Sequence, residues 1–279
     1  MDVLPGKLFG NEVAEIQVFN YDLEKLMNRS KVVLEKYAIS FIIRGHKQIN
    51  FANAVTYIDC NSALLISRGN YLMTEQCSGS EDYRSILLFF SKNKLSELLN
   101  KKHLLPAVGT KQTEAPFFTF EQDEFIKLFV QSLSLQFALD KKVSEELLEV
   151  KFEEIMIYLA DKYGHDFLSF LQGSLQTEEN LSFKKTVEAN KFTNLTLGEI
   201  AFLCNMSLST FKRRFSEVFK STPGNWFKQK RMERAKALLQ SGEAKPSDIF
   251  TLSGYKNLSH FSAAYKSRFG KSPRHHLAD

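Results

Sequence analysis

Cysteine is scarce in this chain and forms no pattern. Cys60, Cys77 and Cys204 are odd in number and widely separated. They offer neither a disulfide framework nor zinc-ligand spacing, which fits a reducing compartment. Long apolar runs are missing too. No stretch approaches the ~18 apolar residues that a membrane span needs. The densest runs, Ala38–Ile43 and Ile86–Phe90, have the length of strands. The opening residues, MDVLPGKLFGNEV, lack the apolar centre of a signal peptide. A cytoplasmic protein with no membrane partner is therefore expected. Catalytic signatures are also lacking: no Gly-rich phosphate loop, Cys–His dyad or Ser–His–Asp arrangement stands out.

What is present points to two folded parts. A length of 279 residues is about right for two domains, and 43% hydrophobic with 25% charged residues is the composition of a folded chain. The 25 phenylalanines imply a core rich in large rings. Charge is divided unevenly. Residues 181–279 hold 18 basic and 7 acidic residues, a net of +11, which leaves residues 1–180 at −6. A basic block beside an acidic one points to a polyanion as the partner of the C-terminal part.

Gly173–Asn180 (GSLQTEEN) is small and polar and reads as a linker. The expected division is a first domain over 1–172, a linker over 173–182 and a second domain over 183–279. The first domain begins β-rich, over about residues 10–91. Tyr37–Ile43, Lys47–Phe51, Ala54–Ile58, Ala63–Ser67, Tyr71–Gln76 and Ile86–Phe90 read as short strands with Gly/Asn turns, a pattern of small barrels or sandwiches. Helices follow over about 92–171. Lys94–Asn100 is short. Glu121–Leu139 carries Phe125, Leu128, Phe129, Leu133 and Phe137 at helical spacing, and Ser144–Lys162 carries Leu148, Phe152, Ile155 and Leu159. One stripe has to cover the sheet. The fold class is thus α+β: a β-barrel with a helical pair, then an all-helical domain.

The second domain carries the functional signal. Thr196 can cap a helix over Leu197–Leu203, with Glu199 placed to back-bond. Cys204-Asn205-Met206 reads as a tight turn, and Ser207 can cap the helix running to Phe219. Phe211, Phe215 and Phe219 recur every four residues, so they form one inward face. The opposite face presents Ser209, Thr210, Lys212, Arg213 and Ser216, with Arg214 to the side. This is a helix-turn-helix unit with an apolar back and a polar front. Arg and Lys reach guanine edges, and Ser and Thr serve several bases. A second unit repeats the first at an offset of fifty: Phe261, Tyr265, Phe269 and Pro273 answer Phe211, Phe215, Phe219 and Pro223, and Ser259 answers Ser209. Upstream the register loosens, with Ser253 opposite Leu203. A long helix over 223–239 joins the units, and Trp226 reads as packing rather than base stacking. Two recognition helices so joined can enter successive major grooves about 34 Å apart.

These residues resemble the DNA-binding domain of the AraC/XylS family of transcription regulators. The likeness covers residues 184–277 and rests on the phenylalanine ladder, Arg231-Met232-x-x-Ala235-x-x-Leu238-Leu239, Ser253-Gly254-Tyr255, Ser259-His260-Phe261, Tyr265-Lys266-x-x-Phe269-Gly270 and Pro273. The resemblance implies a cupin-like barrel and a helical dimerisation pair upstream, which is similar to the pattern of residues 30–165. It makes Ser209, Lys212 and Arg213 base readers, with Ser259, His260 and Ser262 in the corresponding places of the second unit. Ala263 stands where a polar or basic reader is common. The second unit is therefore expected to read fewer bases, or a thymine methyl, and to lean on phosphates through Lys256, Lys266, Arg268 and Lys271.

The resulting expectation is a sequence-specific DNA-binding regulator, an activator, with no enzymatic activity and no cofactor. Double-stranded DNA and RNA polymerase are the expected partners. The first domain is expected to respond to a small-molecule effector or a regulatory protein and to form a homodimer. Strands 37–43, 63–67 and 86–90 either line an apolar cavity or pack together, and Arg44, Lys47 and Arg68 lie at strand ends where an anionic ligand could pair. The rival readings are a cupin-type metal-dependent enzyme and a non-DNA interaction protein. Against the enzyme, the β-rich region offers only His46, in a turn, so no metal site is expected.

Overall fold

The computed structural model describes the chain except residues 11–13, 24–26, 53, 77–81, 103–114, 139–143, 177–182, 242–245, 254, 256 and 277–279, and the side chains of 136–138, 176, 246, 252 and 276. Two compact units divide at Ser182/Phe183.

The first unit opens with strand β1 (Asp2–Leu4) and a single turn of helix, α1 (Gly6–Phe9). Eight strands follow: β2 (Ile16–Leu23), β3 (Met27–Leu34), β4 (Tyr37–Arg44), β5 (His46–Phe51), β6 (Ala54–Ile58), β7 (Ser62–Ile66), β8 (Gly69–Gln76) and β9 (Tyr83–Phe90). Helix α2 (Lys92–Lys101), strand β10 (Phe117–Glu121), and helices α3 (Glu124–Ala138) and α4 (Glu145–Gln176) complete it. The strands form two five-stranded sheets, in the orders β1-β3-β8-β5-β6 and β10-β7-β4-β9-β2. The α+β class is as expected, but the β part is two separate sheets rather than one closed barrel. The second sheet also recruits β10, which lies beyond the range assigned to the barrel.

Period-two alternation explains the layering. On β9, Leu87 and Phe89 point between the two sheets, where they meet Ala38, Ile42, Ile49, Tyr71 and Met73. Their neighbours Ile86, Leu88 and Phe90 point the other way, against Leu98, Phe129, Phe152, Ile155 and Leu159 of the helices. β4 is buried on both faces for the same reason, hence its run of buried residues from Tyr37 to Ile42, apolar except for Ser40. Between β4 and β5 the chain turns at Gly45, whose φ is +85° and whose missing Cβ would lie 2.5 Å from the Gln76 carbonyl oxygen. Only glycine fits there.

The helices differ from expectation in two ways. The core face of α3 is Ile126, Phe129, Val130 and Leu133, while Phe125 and Leu128 of the expected stripe face outward; Phe137 lies outside the described side chains. Helix α4 runs on to Gln176 through a kink at Gly164, where φ is +51°. The extra turns bring Phe167, Phe170 and Leu171 into the core, apolar area that a helix ending at Lys162 would leave in water.

The second unit is helical: α5 (Phe183–Ala189), α6 (Leu197–Leu203), α7 (Leu208–Phe219), α8 (Pro223–Gln240), α9 (Pro246–Leu252), α10 (Leu258–Phe269) and a closing turn at Pro273–His276. It has two small cores. Phe183, Val187, Ile200, Ala201, Phe211, Phe215, Trp226 and Phe227 form the first. Met232, Ala235, Leu239, Ile249, Phe261 and Tyr265 form the second. Helix α8 contributes its first half to one core and its second half to the other.

Candidate nucleic-acid interface

Each recognition helix is bounded by caps at both ends. Thr196 and Glu199 form a capping box at the start of α6: the Thr196 hydroxyl accepts from the Glu199 N–H at 3.2 Å, and the Glu199 carboxylate accepts from the Thr196 N–H at 2.7 Å. The helix stops at Asn205, which is left-handed at φ +55°, and the Met206 N–H donates back to the Ala201 carbonyl at 3.0 Å. Ser207 then caps α7 by accepting from the Thr210 N–H at 3.2 Å. Fifty residues on, Asn257 caps α10 by accepting from the His260 N–H at 2.8 Å. Both helices end in a left-handed residue, Lys220 at φ +51° and Gly270 at φ +76°. Each is followed three residues later by a proline that opens the next helical turn. The fifty-residue repeat thus holds in the caps as well as in the apolar ladder.

The ladders stack alike. Ring centroids of Phe211–Phe215 and Phe215–Phe219 lie 5.6 and 4.5 Å apart, and those of Phe261–Tyr265 and Tyr265–Phe269 lie 5.6 and 4.7 Å apart. The first ladder is braced more heavily. Phe183 packs on all three of its rings, and Trp226 packs on Phe215 and Phe219, so Trp226 is a core residue as expected. Against the second ladder, Tyr255 contacts Phe261 at 5.7 Å. Ser253, opposite Leu203, is buried and satisfies its hydroxyl on the Ile249 carbonyl at 2.9 Å.

With the ladder inward, the residues between its rungs must face out. Ser209, Thr210, Lys212, Arg213 and Ser216 are all exposed on α7. Among the described residues no carboxylate pairs with Lys212 or Arg213. Ser209 and Thr210 each lie with their hydroxyls 2.9 Å from the Ser207 hydroxyl, a polar cluster at the start of α7. Arg214 turns aside and covers the Phe183 ring at 5.0 Å. Beside it, burial pushes the Cys204 thiol up to about 12, against a smaller opposing pull from Arg214. That cysteine stays a neutral packing group.

On α10, Ser259, His260 and Lys266 are exposed, as is Ala263, while Ser262 is half-buried at the flank. Lys256 lies outside the described residues. Arg268 does not stand free for phosphate: it reaches Glu233 of α8 at 3.5 Å and lies over the Phe269 ring. Hydrogen bonds from Gln229 and Lys230 hold the Glu233 carboxyl below the usual range despite opposing desolvation. This carboxylate ties α10 to the linker helix. Glu217 and Ser267 were not foreseen. They lie four residues after Arg213 and Ala263, on the same line as Ser209 and Ser259, and both are exposed. Counting on by one more turn of helix was signal enough to find them.

A pair of capped, outward-facing helices on duplicated cores defines a tandem helix-turn-helix protein, in a chain that also carries a β-rich unit. The comparisons agree in both halves. Residues 37–170 match the model of the ExsA N-terminal regulatory domain, and residues 193–278 match a helix-turn-helix domain model. The thermoregulatory protein LcrF of Yersinia pestis is 28% identical over 77% of this chain and 79% of its own. The virulence regulon transcriptional activator VirF of Yersinia enterocolitica is 28% identical over 81% of this chain and 84% of its own. Among solved structures, ToxT of Vibrio cholerae O395 is similar at 17% identity and TM-score 0.38, over 94% of this chain and 97% of that one. The chain belongs to the AraC/XylS family, and it is a DNA-binding transcription regulator.

Proposed function

We propose that this regulator activates transcription by reading DNA mainly through α7, while α10 chiefly sets position. The observation that carries this is the contrast at equivalent places on two matching scaffolds: Arg213, exposed and without an acidic partner among the described residues, against Ala263. Ser209, Thr210, Lys212, Arg213 and Ser216 serve as the first contact set. Ser259, His260, Ser262, Lys256 and Lys266 serve as the second, with Lys266 on phosphate. The two helices enter successive major grooves about 34 Å apart.

The N-terminal unit, over about 1–172, takes the signal, from a small molecule or a regulatory protein, and makes a homodimer. Supporting the dimer, α3 and α4 each carry a second apolar stripe opposite the core face. Leu128 and Leu135 are 57% and 64% exposed on α3, and Leu147 and Val150 are 41% and 61% exposed on α4. Residues 173–176 are the last turn of α4, so the stretch that joins the two parts starts after Gln176; RNA polymerase is the partner in activation, and the setting is the cytoplasm. No helix among the described residues is long and apolar enough to cross a membrane. The reading assigns the chain no catalytic role.

A gel shift of the whole chain tests the core of this reading. Binding should favour one promoter sequence over random duplex, and that preference should persist as salt rises. Equal affinity for both at every salt concentration would leave only counterion release, and with it only nonspecific binding.

A further inference from the structure

The space between the two sheets is apolar at one end and polar at the other. Strand alternation points Ser40 of β4, Lys47 of β5, Glu75 of β8 and Tyr83 and Ser85 of β9 into it. Lys47 is therefore no strand-end cation awaiting an anion. Its side chain is 3% exposed, and its ammonium sits 2.8 Å from the Glu75 carboxylate, itself 7% exposed. Burial pulls the Lys47 ammonium towards losing its proton, and Glu75 more than reverses this, so the ammonium keeps its proton. The hydroxyls of Tyr83 and Ser85 are buried nearby with no hydrogen-bond partner among the described residues. Packing alone gives no reason to gather so many polar groups here, since an apolar filling of the same volume is often as stable as a buried ion pair.

A cavity of about 90 Å³ runs up to this cluster. Lys47, Glu75 and Tyr21 form its polar end, and Leu34, Ile66 and Phe89 are among its apolar walls; Ser30 and the charges of Asp2 and Lys7, which already neutralise each other at 2.7 Å, also line it. The charges decide what fits. Glu75 already neutralises Lys47, so a carboxylate ligand would have to displace Glu75, and an ammonium would have to displace Lys47. Tyr21 is the other titratable group at this end, and burial followed by the Glu75 charge keeps its phenol protonated. A neutral hydroxyl or carbonyl oxygen can accept from Lys47, and a hydroxyl can also donate to Glu75, with neither charge displaced.

From this geometry we infer that the cavity between the sheets binds a small neutral amphiphile, its apolar body among the strands and its oxygen on the Lys47–Glu75 pair. This deepens the reading that the N-terminal unit takes a small-molecule signal, and it rests on that reading for its purpose but not for its chemistry.

The test uses the full chain and three probes of one length: 1-hexanol, hexanoate and hexylammonium. Ligand-observed NMR titration should give saturable hexanol binding at least about tenfold tighter than either ion. Ala38→Leu, which adds bulk to a residue lining the cavity, should weaken hexanol binding. Glu75→Gln frees the lysine charge and should turn the preference towards hexanoate, a reversal that a merely structural role would not produce. Ala38→Leu and the wild-type ranking carry the test where Glu75→Gln does not fold. No saturable hexanol binding, a wild-type preference for either ion, or binding unchanged by Ala38→Leu overturns the proposal. Operator affinity measured in parallel separates the two claims. Cavity binding with no change in operator affinity upholds the site and refutes its use as a sensor. Operator affinity that responds to a purified regulatory protein, with no hexanol binding, overturns the site alone.

Discussion

Replacing Arg213 by alanine removes the one long cation on the central line of the α7 front. That line is Ser209, Arg213 and Glu217, spaced one helical turn apart and exposed throughout. Arg213 has no carboxylate partner among the described residues, so little intramolecular energy is lost with it, and its caps and ladder lie elsewhere. The cost should therefore fall on DNA binding. A bidentate contact to guanine is worth about 1–3 kcal/mol. At about 1.4 kcal/mol per decade this corresponds to roughly 5- to 150-fold in Kd. The assay is a titration of wild type and variant against a panel of duplexes differing at single positions, at two salt concentrations. Discrimination should collapse at one base pair and hold at the others. A phosphate contact behaves differently: its loss weakens all duplexes alike and lowers the salt slope by about 0.9. Lys266→Ala is expected to do that, so the two variants serve as each other's control. Uniform weakening by Arg213→Ala, with a reduced salt slope, would refute base reading by this residue.

Three further outcomes follow from packing and charge. Phe215 is fully buried among Phe183, Phe211, Phe219, Trp226 and Phe227, so Phe215→Ala should cost about 3–5 kcal/mol and lower the urea midpoint. A loss under about 1 kcal/mol would mean that the core is looser than drawn. Gly45→Ala should destabilise strongly, because the new Cβ meets the Gln76 carbonyl at 2.5 Å and the φ of +85° is itself unfavourable; a melting temperature equal to wild type would contradict this. Asp123 caps α3 through the Ile126 N–H at 3.0 Å and pairs with Lys162 at 2.5 Å. Desolvation raises its pKa, but the bonds from Lys162 and Tyr158 outweigh that and hold it at about 2. A folded pKa below the unfolded one means stability present above pH ~4 and lost as pH falls from about 4 towards 2. In Asp123→Asn the cap survives and the charge does not. The variant should be weaker by on the order of 1 kcal/mol at neutral pH, with the gap closing in denaturant melts across that acid window. A gap independent of pH would show that the ion pair does not matter.

Much of the second unit was legible in sequence because its determinants are local. A ladder every four residues, a capping side chain (Ser207, Asn257) one residue before each recognition helix and a proline after each left-handed stop all lie within a few positions of one another. The first unit depends on partners far apart in the chain. Lys47 reads as a charged strand end because lysine is almost never buried unless paired, and its pair, Glu75, belongs to another strand. β10 has five residues, FFTFE, and nothing local says that it hydrogen-bonds to β7 across fifty residues of chain. β2 and β3 mix Asn, Asp, Arg and Lys into their pattern and give no apolar run to notice. The expected helix stops at Lys162, yet the chain kinks at Gly164 and continues, because Phe167 and Phe170 have a core to reach.

The same contrast between local and distant bears on specificity. Because α8 supplies Trp226 and Phe227 to one core and Met232, Ala235 and Leu239 to the other, neither recognition helix can shift freely against it. Glu233 adds a tie to Arg268 of α10. Such a frame fixes where the second helix meets DNA whatever side chains it presents. If α7 selects the sequence, as proposed, α10 has no need of a strong reader to find its groove. A front of Ser259, Ala263 and Ser267 then costs little affinity, provided that Lys266 holds a phosphate. The asymmetry between the units is thus affordable because the scaffold beneath them is repeated and stiffly joined. Specificity can concentrate in the half whose ladder is the more heavily braced, where an arginine must hold its angle to a base edge.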